Sequence, residues 1–498
     1  MAKYYMGIDQ GTTGTTVLLL NENWECAARG YKEHTQYYPQ LGWVEHDPVE
    51  IWSKILESVE MALEIAEADP DDVACMGLDN QGETVVLWDN VTGVPVYNAI
   101  VWQDRRTSRE ADAIAEKYGD MILEKTGLVV DAYFSATKIK WVIENVPGVK
   151  EKIQRGRINA GTLDSWMIWK LTHGRVFVTD QSTASRTMLF NIHTGQWDDE
   201  ILESLDIPKS ILPEVCDSAQ VYGQTDPLDF FGARIPISGS VVDQQAALFG
   251  QACFEPGTVK TTYGTGCFML MNTGDKPIYS ENGLLTTVGW GINGGKITFA
   301  LDGGIYIAGA AVQWLRDKMK LITSAAETEE IAKSVPDTGG VYFVPAFSGL
   351  AAPHWDQYAR GTIVGITGGT TKEQIIRATL ESMAYQVKDN LDVMVGDSNI
   401  PIEVMRVDGG AVVNDFLMQF QADILGIPVD VPVITETTAL GAAYLAAYGI
   451  GEFKDLSEIQ NNWKLKKRYE PNMDEETRNK LLSKWHKAVE RAKEWEED

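Results

Sequence analysis

Apolar and polar positions along this chain of 498 residues alternate between two periods. Short apolar runs at Tyr4 to Ile8, Val17 to Leu20 and Val404 to Val407 read as buried strands. Elsewhere the spacing is helical. Ile375, Ile376, Thr379, Met383, Val387, Leu391 and Met394 share one face behind a Thr371/Gln374 capping box. A further helix spans Phe416 to Leu425 and stops at Gly426, a residue suited to a left-handed C-cap. Near the end of the chain, Leu482, Trp485, Val489 and Ala492 form one stripe. Asp474 is placed to cap that helix, with Glu475 and Glu476 in its first turn. Strands and helices alternating in this way predict an α/β architecture.

One pattern occurs twice. Gly7 to Thr16 is a Gly/Thr-rich turn that feeds the apolar run Val17 to Leu20 and ends at Asn21. Thr262 to Gly266 feeds Cys267 to Met271 and ends at Asn272. The repeat predicts two related domains, 1–250 and 251–498.

Composition narrows the function. Against 71 Asp+Glu stand 43 Lys+Arg, a net charge of −28, which disfavours nucleic acid and anionic lipid surfaces as partners. An apolar share of 44% suits a folded globular chain. The longest apolar stretches, such as Ile305 to Leu315, fall short of the ~18 residues that a membrane span needs. Five scattered cysteines without a C-x-x-C, and an N-terminus without a basic-then-apolar leader, predict a cytoplasmic protein with reduced thiols.

Four groups of residues could carry chemistry. The loop Gly11, Thr12, Thr13 follows a strand that ends in Asp9, and its backbone N–H groups and hydroxyls suit phosphate. A strand leaves the turn, so it is neither a P-loop nor a dinucleotide fingerprint. Asp9 suits a hydrated Mg²⁺ bridging nucleotide phosphates, although a plain β-hairpin accounts for the same residues. Asp408-Gly409-Gly410-Ala411, with Asn414 beyond it, forms a strand-to-helix turn that lets backbone approach a flat ligand. Asp243 opens a helix, where it serves either as a general base or as an N-cap. Gln81, Glu83, Trp102, Asp104 and Tyr133 mix polar and aromatic groups suited to hydroxyls on a carbon skeleton, if they converge.

Together these segments resemble the FGGY carbohydrate kinases, and within them the glycerol-phosphorylating members most closely. Tyr133 to Asn145 and Gly361 to Glu381 match the two family signatures. Gly42 to Pro48, Tyr97 to Gln103, Ala184 to Asn191, Asp243 to Gly250 and Thr262 to Asn272 match further blocks. The resemblance implies two actin-like (ribonuclease-H-like) domains with the active site in the cleft between them, and a homodimer or homotetramer. It implies Asp243 as catalytic base, and Gly82, Glu83, Trp102, Tyr133, Gln244 and Phe268 at the polyol. Around ATP it puts Thr265, Gly309, Gln313, Gly410 and Asn414, with Mg²⁺ held by Asp9 through water. The implied reaction moves the γ-phosphoryl group of MgATP to a terminal hydroxyl of glycerol.

Departures from the family pattern are specific. Gly82, Thr16 and Gly368 stand where arginines are usual, Asp79 where Thr is, and Asp104 where Cys is. Each charge-assisted hydrogen bond lost with an arginine costs about 1.5–3 kcal/mol if unreplaced. Gly82 would leave room for a larger polyol or ketose, such as erythritol, ribitol, xylitol, xylulose or ribulose, with Asp79 or Asp104 as new acceptors. A non-catalytic binding or regulatory protein is a third reading, opposed by retention of Asp9 and Asp243. Gly232-Ala233-Arg234 only partly matches a fructose 1,6-bisphosphate loop, and Asp226 to Phe231 contains no histidine for phosphorylation.

Overall fold

The computed structural model describes residues 3–496. Six strands form the first sheet: β1 (Tyr4–Gln10), β2 (Gly14–Leu20), β3 (Cys26–Glu33), β4 (Val73–Asn80), β5 (Ala219–Gln224) and β6 (Pro236–Val242). Their order is β5-β6-β4-β1-β2-β3. β1 and β2 make an antiparallel hairpin, while β1, β4 and β6 run parallel. The second sheet has seven strands: β7 (Val259–Tyr263), β8 (Cys267–Gly274), β9 (Leu285–Ile292), β10 (Lys296–Ile305), β11 (Met405–Gly409), β12 (Val429–Pro432) and β13 (Leu465–Tyr469). Its order is β9-β10-β8-β7-β11-β12-β13. Here too an antiparallel hairpin, β7 with β8, adjoins the parallel strands β7, β11 and β12. The Gly/Thr repeat of the sequence is this shared hairpin.

Two helices join the sheets by exchange. The helix Asp243–Gly250 follows β6 of the first sheet yet packs on β7, β8 and β9 of the second. The helix Thr437–Gly449 follows β12 of the second sheet yet packs on β1, β4 and β6 of the first. They press against each other, so the centre of the molecule is a sheet–helix–helix–sheet stack. The later helix is apolar all round, Thr437-Thr-Ala-Leu-Gly-Ala-Ala-Tyr-Leu-Ala-Ala-Tyr-Gly449, as burial on both sides requires. Backbones here nearly touch: a Cβ on Gly77 would lie 1.9 Å from the Ala442 carbonyl oxygen, and one on Gly441 1.9 Å from that of Ala246. Only glycine fits.

The expected local signals hold. Gln374 Oε1 accepts from Thr371 N at 3.0 Å at the start of the Lys372–Ser398 helix. Gly426 is left-handed with φ 76°, and Asp474 accepts from Thr477 N at 2.8 Å. Leu482, Trp485, Val489 and Ala492 are all buried. No described helix is long and apolar enough to cross a membrane.

Candidate functional site

The first hairpin turn sits at the C-terminal end of β1, closed by Gly11 N donating to Gly14 O at 3.0 Å. Asp9 lies in register with Asp79 of the parallel strand β4 and with Thr16 of β2. Burial, helped by the charges of Asp243 and Glu436, pushes the Asp9 carboxyl up to about 7. Asp79 is fully buried and neither of its oxygens meets a protein donor. Burial and the facing Asp9 carboxylate hold its proton affinity well above the usual range. A proton held on Asp79 would let it donate to the facing Asp9.

Behind the turn, Gln81 is fully engaged. Its Nε2 reaches Gln10 Oε1 at 3.1 Å, Gly11 O at 3.3 Å and His46 Nδ1 at 3.3 Å, and its Oε1 accepts from Thr84 Oγ1 at 3.1 Å. This side chain, expected at the substrate, instead braces the turn from beneath. Asp104 departs from expectation too. Oδ1 accepts from Arg106 N and Nε, both at 2.9 Å. Oδ2 accepts from Val44 N at 2.6 Å and Arg106 Nη2 at 2.8 Å. All four acceptor positions of the carboxylate are taken, so none is left for a substrate hydroxyl. Sequence spacing did not show that a local Asp–Arg pair would close on itself.

The other expected polyol residues converge. Trp102 Nε1 donates to Thr12 Oγ1 at 2.9 Å, tying the aromatic wall to the turn. The Trp102 ring lies edge-on to Tyr133 at 5.7 Å and to Phe268 of the second sheet at 6.4 Å. Tyr133 is fixed because the buried ammonium of Lys138 gathers the carbonyls of Ala132, Tyr133 and Phe134 at 2.9, 2.6 and 2.8 Å. Glu83 takes a left-handed φ of 58°, a strained conformation held by Ser135 Oγ donating to its carbonyl at 3.1 Å. Its carboxyl, pushed up to about 7 mainly by burial, accepts from Arg186 Nε at 2.7 Å.

A Cβ on Gly82 would meet Val242 Cγ2 at 2.8 Å and Arg186 Cγ at 4.0 Å, so any side chain at this position must press on Val242. Thr16 is buried within the hairpin, whereas a Cβ on Gly368 would meet nothing within 4 Å.

Asp243 is the first residue of its helix and does not cap it; Val242 holds the capping position. Its Oδ1 accepts from Gln244 N at 2.7 Å, and burial raises its proton affinity. Gln244 Oε1 accepts from Lys260 Nζ at 2.5 Å, and Lys260 also donates to Thr262 Oγ1 at 3.0 Å. Lys260 is fully buried, and desolvation lowers its proton affinity, while Asp408, Asp243 and Asp302 counter that effect.

On the second sheet the Thr265 turn and the Gly409–Gly410 turn sit side by side, because Tyr263 and Gly409 are register partners. Ala308 N and Ala310 N both donate to Thr265 O at 3.0 Å, and Gly309 N donates to Gly264 O at 3.0 Å. The turn is thereby docked on the start of the Gly309–Asp317 helix that carries Gln313. Gly264, Thr265, Gln313 and Gly410 are exposed, and nothing stands within 4 Å of a Cβ on Gly410. Asn414 caps the Asp415–Leu425 helix through Leu417 N at 2.9 Å. An open ledge of backbone and small side chains results, suited to a flat ligand.

Arg186, Lys260 and Asp302 were not picked out by sequence reasoning. Arg186 meets Glu83 103 residues away and Asp302 still farther along the chain, and the only signal available was Arg186 inside a family-like block.

Residues 4–250 match the FGGY family of carbohydrate kinases, N-terminal domain, and residues 259–450 match its C-terminal domain. The chain is 59% identical to glycerol kinase 2 of Thermotoga maritima over 495 residues, 99% of each chain. It is 56% identical to a glycerol kinase of Caldanaerobacter subterraneus across the full length of both. The crystal structure of Plasmodium falciparum glycerol kinase with ADP superposes with a TM-score of 0.91 at 38% identity, covering 99% of this chain and 98% of that one.

Proposed function

Because the chain belongs to the FGGY family of carbohydrate kinases, we propose that it transfers the γ-phosphoryl group of ATP to a terminal hydroxyl of glycerol, across two lobes that divide near residue 250. The observation that carries this reading is convergence. Asp9 and its hairpin turn, Asp243, Glu83 and the Trp102–Tyr133–Phe268 wall come together from both sheets.

Glycerol's carbon face packs on the aromatic wall, and Glu83 and Gln244 bind hydroxyls. Asp243 takes the proton of the attacking hydroxyl through a carboxylate whose raised proton affinity strengthens it as a base. The ledge at Thr265, Gly309, Gln313, Gly410 and Asn414 holds the nucleotide, and Gly11, Thr12 and Thr13 receive its terminal phosphate. The donor set at Asp9 fits Mg²⁺, which needs only one or two protein carboxylates beside phosphate oxygens and waters. No group of three or more His, Cys, Asp or Glu among the described residues makes an all-protein metal cage. Bound there, Mg²⁺ would offset charge on the transferring phosphate. Lobe closure over both ligands excludes water and prevents loss of phosphate by hydrolysis.

A coupled ADP-release assay against glycerol, erythritol, ribitol, xylitol, xylulose and ribulose tests this. Glycerol should give the highest kcat/KM. Turnover of a larger substrate without turnover of glycerol would overturn the reading.

A further inference from the structure

Arg186 lies where the family's usual arginine is missing. A Cβ on Gly82 would stand 4.0 Å from Arg186 Cγ, so this side chain runs directly over that backbone. The residue is only 3% exposed. Two corners of its guanidinium are anchored: Nε donates to Glu83 Oε1 at 2.7 Å, and Nη2 lies 3.1 Å from Asp302 Oδ2. Glu83 comes from the first lobe and Asp302 from β10 of the second, so the cation sits where the lobes meet. The third corner is different. Nη1 is buried and meets no acceptor. An always-charged group with a buried, unpaired N–H is poorly satisfied unless something else accepts from it. Around it stand Tyr133, with ring centre 5.9 Å from the guanidinium carbon, and Asp243, whose charge it influences.

Building on the polyol reading above, we propose that Arg186 is a substrate-binding residue whose Nη1 donates to a hydroxyl remote from the transferred phosphoryl group. A hydroxyl both accepts and donates. A guanidinium corner beside Glu83, whose Oε2 meets no protein donor among the described residues, offers the complementary pair. The charge absent at position 82 is thus supplied from position 186, with Glu83 and Asp302 fixing its orientation.

The test compares the unaltered protein with Arg186→Lys in steady-state assays on glycerol and on propane-1,2-diol, which lacks one terminal hydroxyl. Calorimetry of glycerol binding runs alongside. Arg186→Lys keeps the charge between Glu83 and Asp302 but cannot reach all three acceptors. The expected result is a glycerol KM raised at least tenfold, an ATP KM changed less than twofold, and a preference for glycerol over the diol reduced at least fivefold. An unchanged preference in folded Arg186→Lys would overturn the inference and leave Arg186 a structural ion-pair partner. Should that variant not fold, Asp302→Asn frees one anchored corner and should reduce the preference in the same direction; an unchanged preference would again overturn the inference. If the unaltered protein turned over a larger polyol and not glycerol, the glycerol reading alone would fall, and the same comparison would be made on that polyol and its deoxy analogue. A protein that turned over no polyol would overturn both.

Discussion

Asp243 and Asp79 are both carboxyls with raised proton affinity, yet the surroundings of each give it a different task. Asp243 is half-buried and bonded to Gln244, and in the proposed function it takes the substrate proton. Asp243→Asn should lower kcat by about 10²–10⁴-fold with the fold intact, as loss of a general base does, which rapid-quench assays would measure. In the unaltered enzyme, kcat/KM should decline on the acid side as the raised carboxyl takes up its proton. Asp79 is sealed against Asp9. Its folded-state pKa lies above its unfolded value, so its contribution to stability is present below the unfolded pKa and is lost as pH rises towards the folded one. Asp79→Asn keeps a donor for Asp9 without needing a proton. Denaturant unfolding of the two proteins should therefore show the variant gaining on its parent between pH 5 and pH 8.

At the scale of elements, the contact between the Asp243–Gly250 and Thr437–Gly449 helices positions the proposed catalytic carboxylate. Gly441→Ala drives a methyl group into the Ala246 carbonyl, and the helix bearing Asp243 must shift to admit it. A stability loss of about 1–3 kcal/mol is expected, with a fall in kcat, read from urea midpoints and initial rates. Gly119→Ala is the control. In the Ser108–Thr126 helix a Cβ at this position meets nothing within 4 Å, so the change should stabilise by about 0.4–1 kcal/mol and leave kcat unaltered. Such close backbone approach was not legible in the sequence. Gly441 looks like any glycine in an alanine-rich run, and only the crossing of the two helices makes it obligatory. Caps were legible, because Asp474 and Gly426 act on their own neighbours within a few residues.

For the whole molecule, the proposed site draws on both sheets, with Phe268 beside Trp102 and Asp302 paired with Arg186. Each ligand binding the folded state alone should add about 2.7 kcal/mol of stability at a hundredfold excess over its Kd. Glycerol and a non-hydrolysable ATP analogue together should exceed the sum of their separate shifts, since each helps hold the lobes closed. Thermal melts with each ligand and with both would measure this, and a merely additive shift would argue against coupled closure.

The sequence alone determined the strands, the duplicated hairpin, the caps and the family blocks, because these arise from interactions among residues near one another in the chain. Tertiary structure decided that Gln81 and Asp104 turn to protein partners, that Val242 crowds the backbone at Gly82, and that Arg186 faces Glu83 and Asp302. Those outcomes depend on which far-apart segments the two sheets and the exchanged helices bring together. Hydrogen-bond partners and free volume are properties of that packing, and no local pattern specifies them.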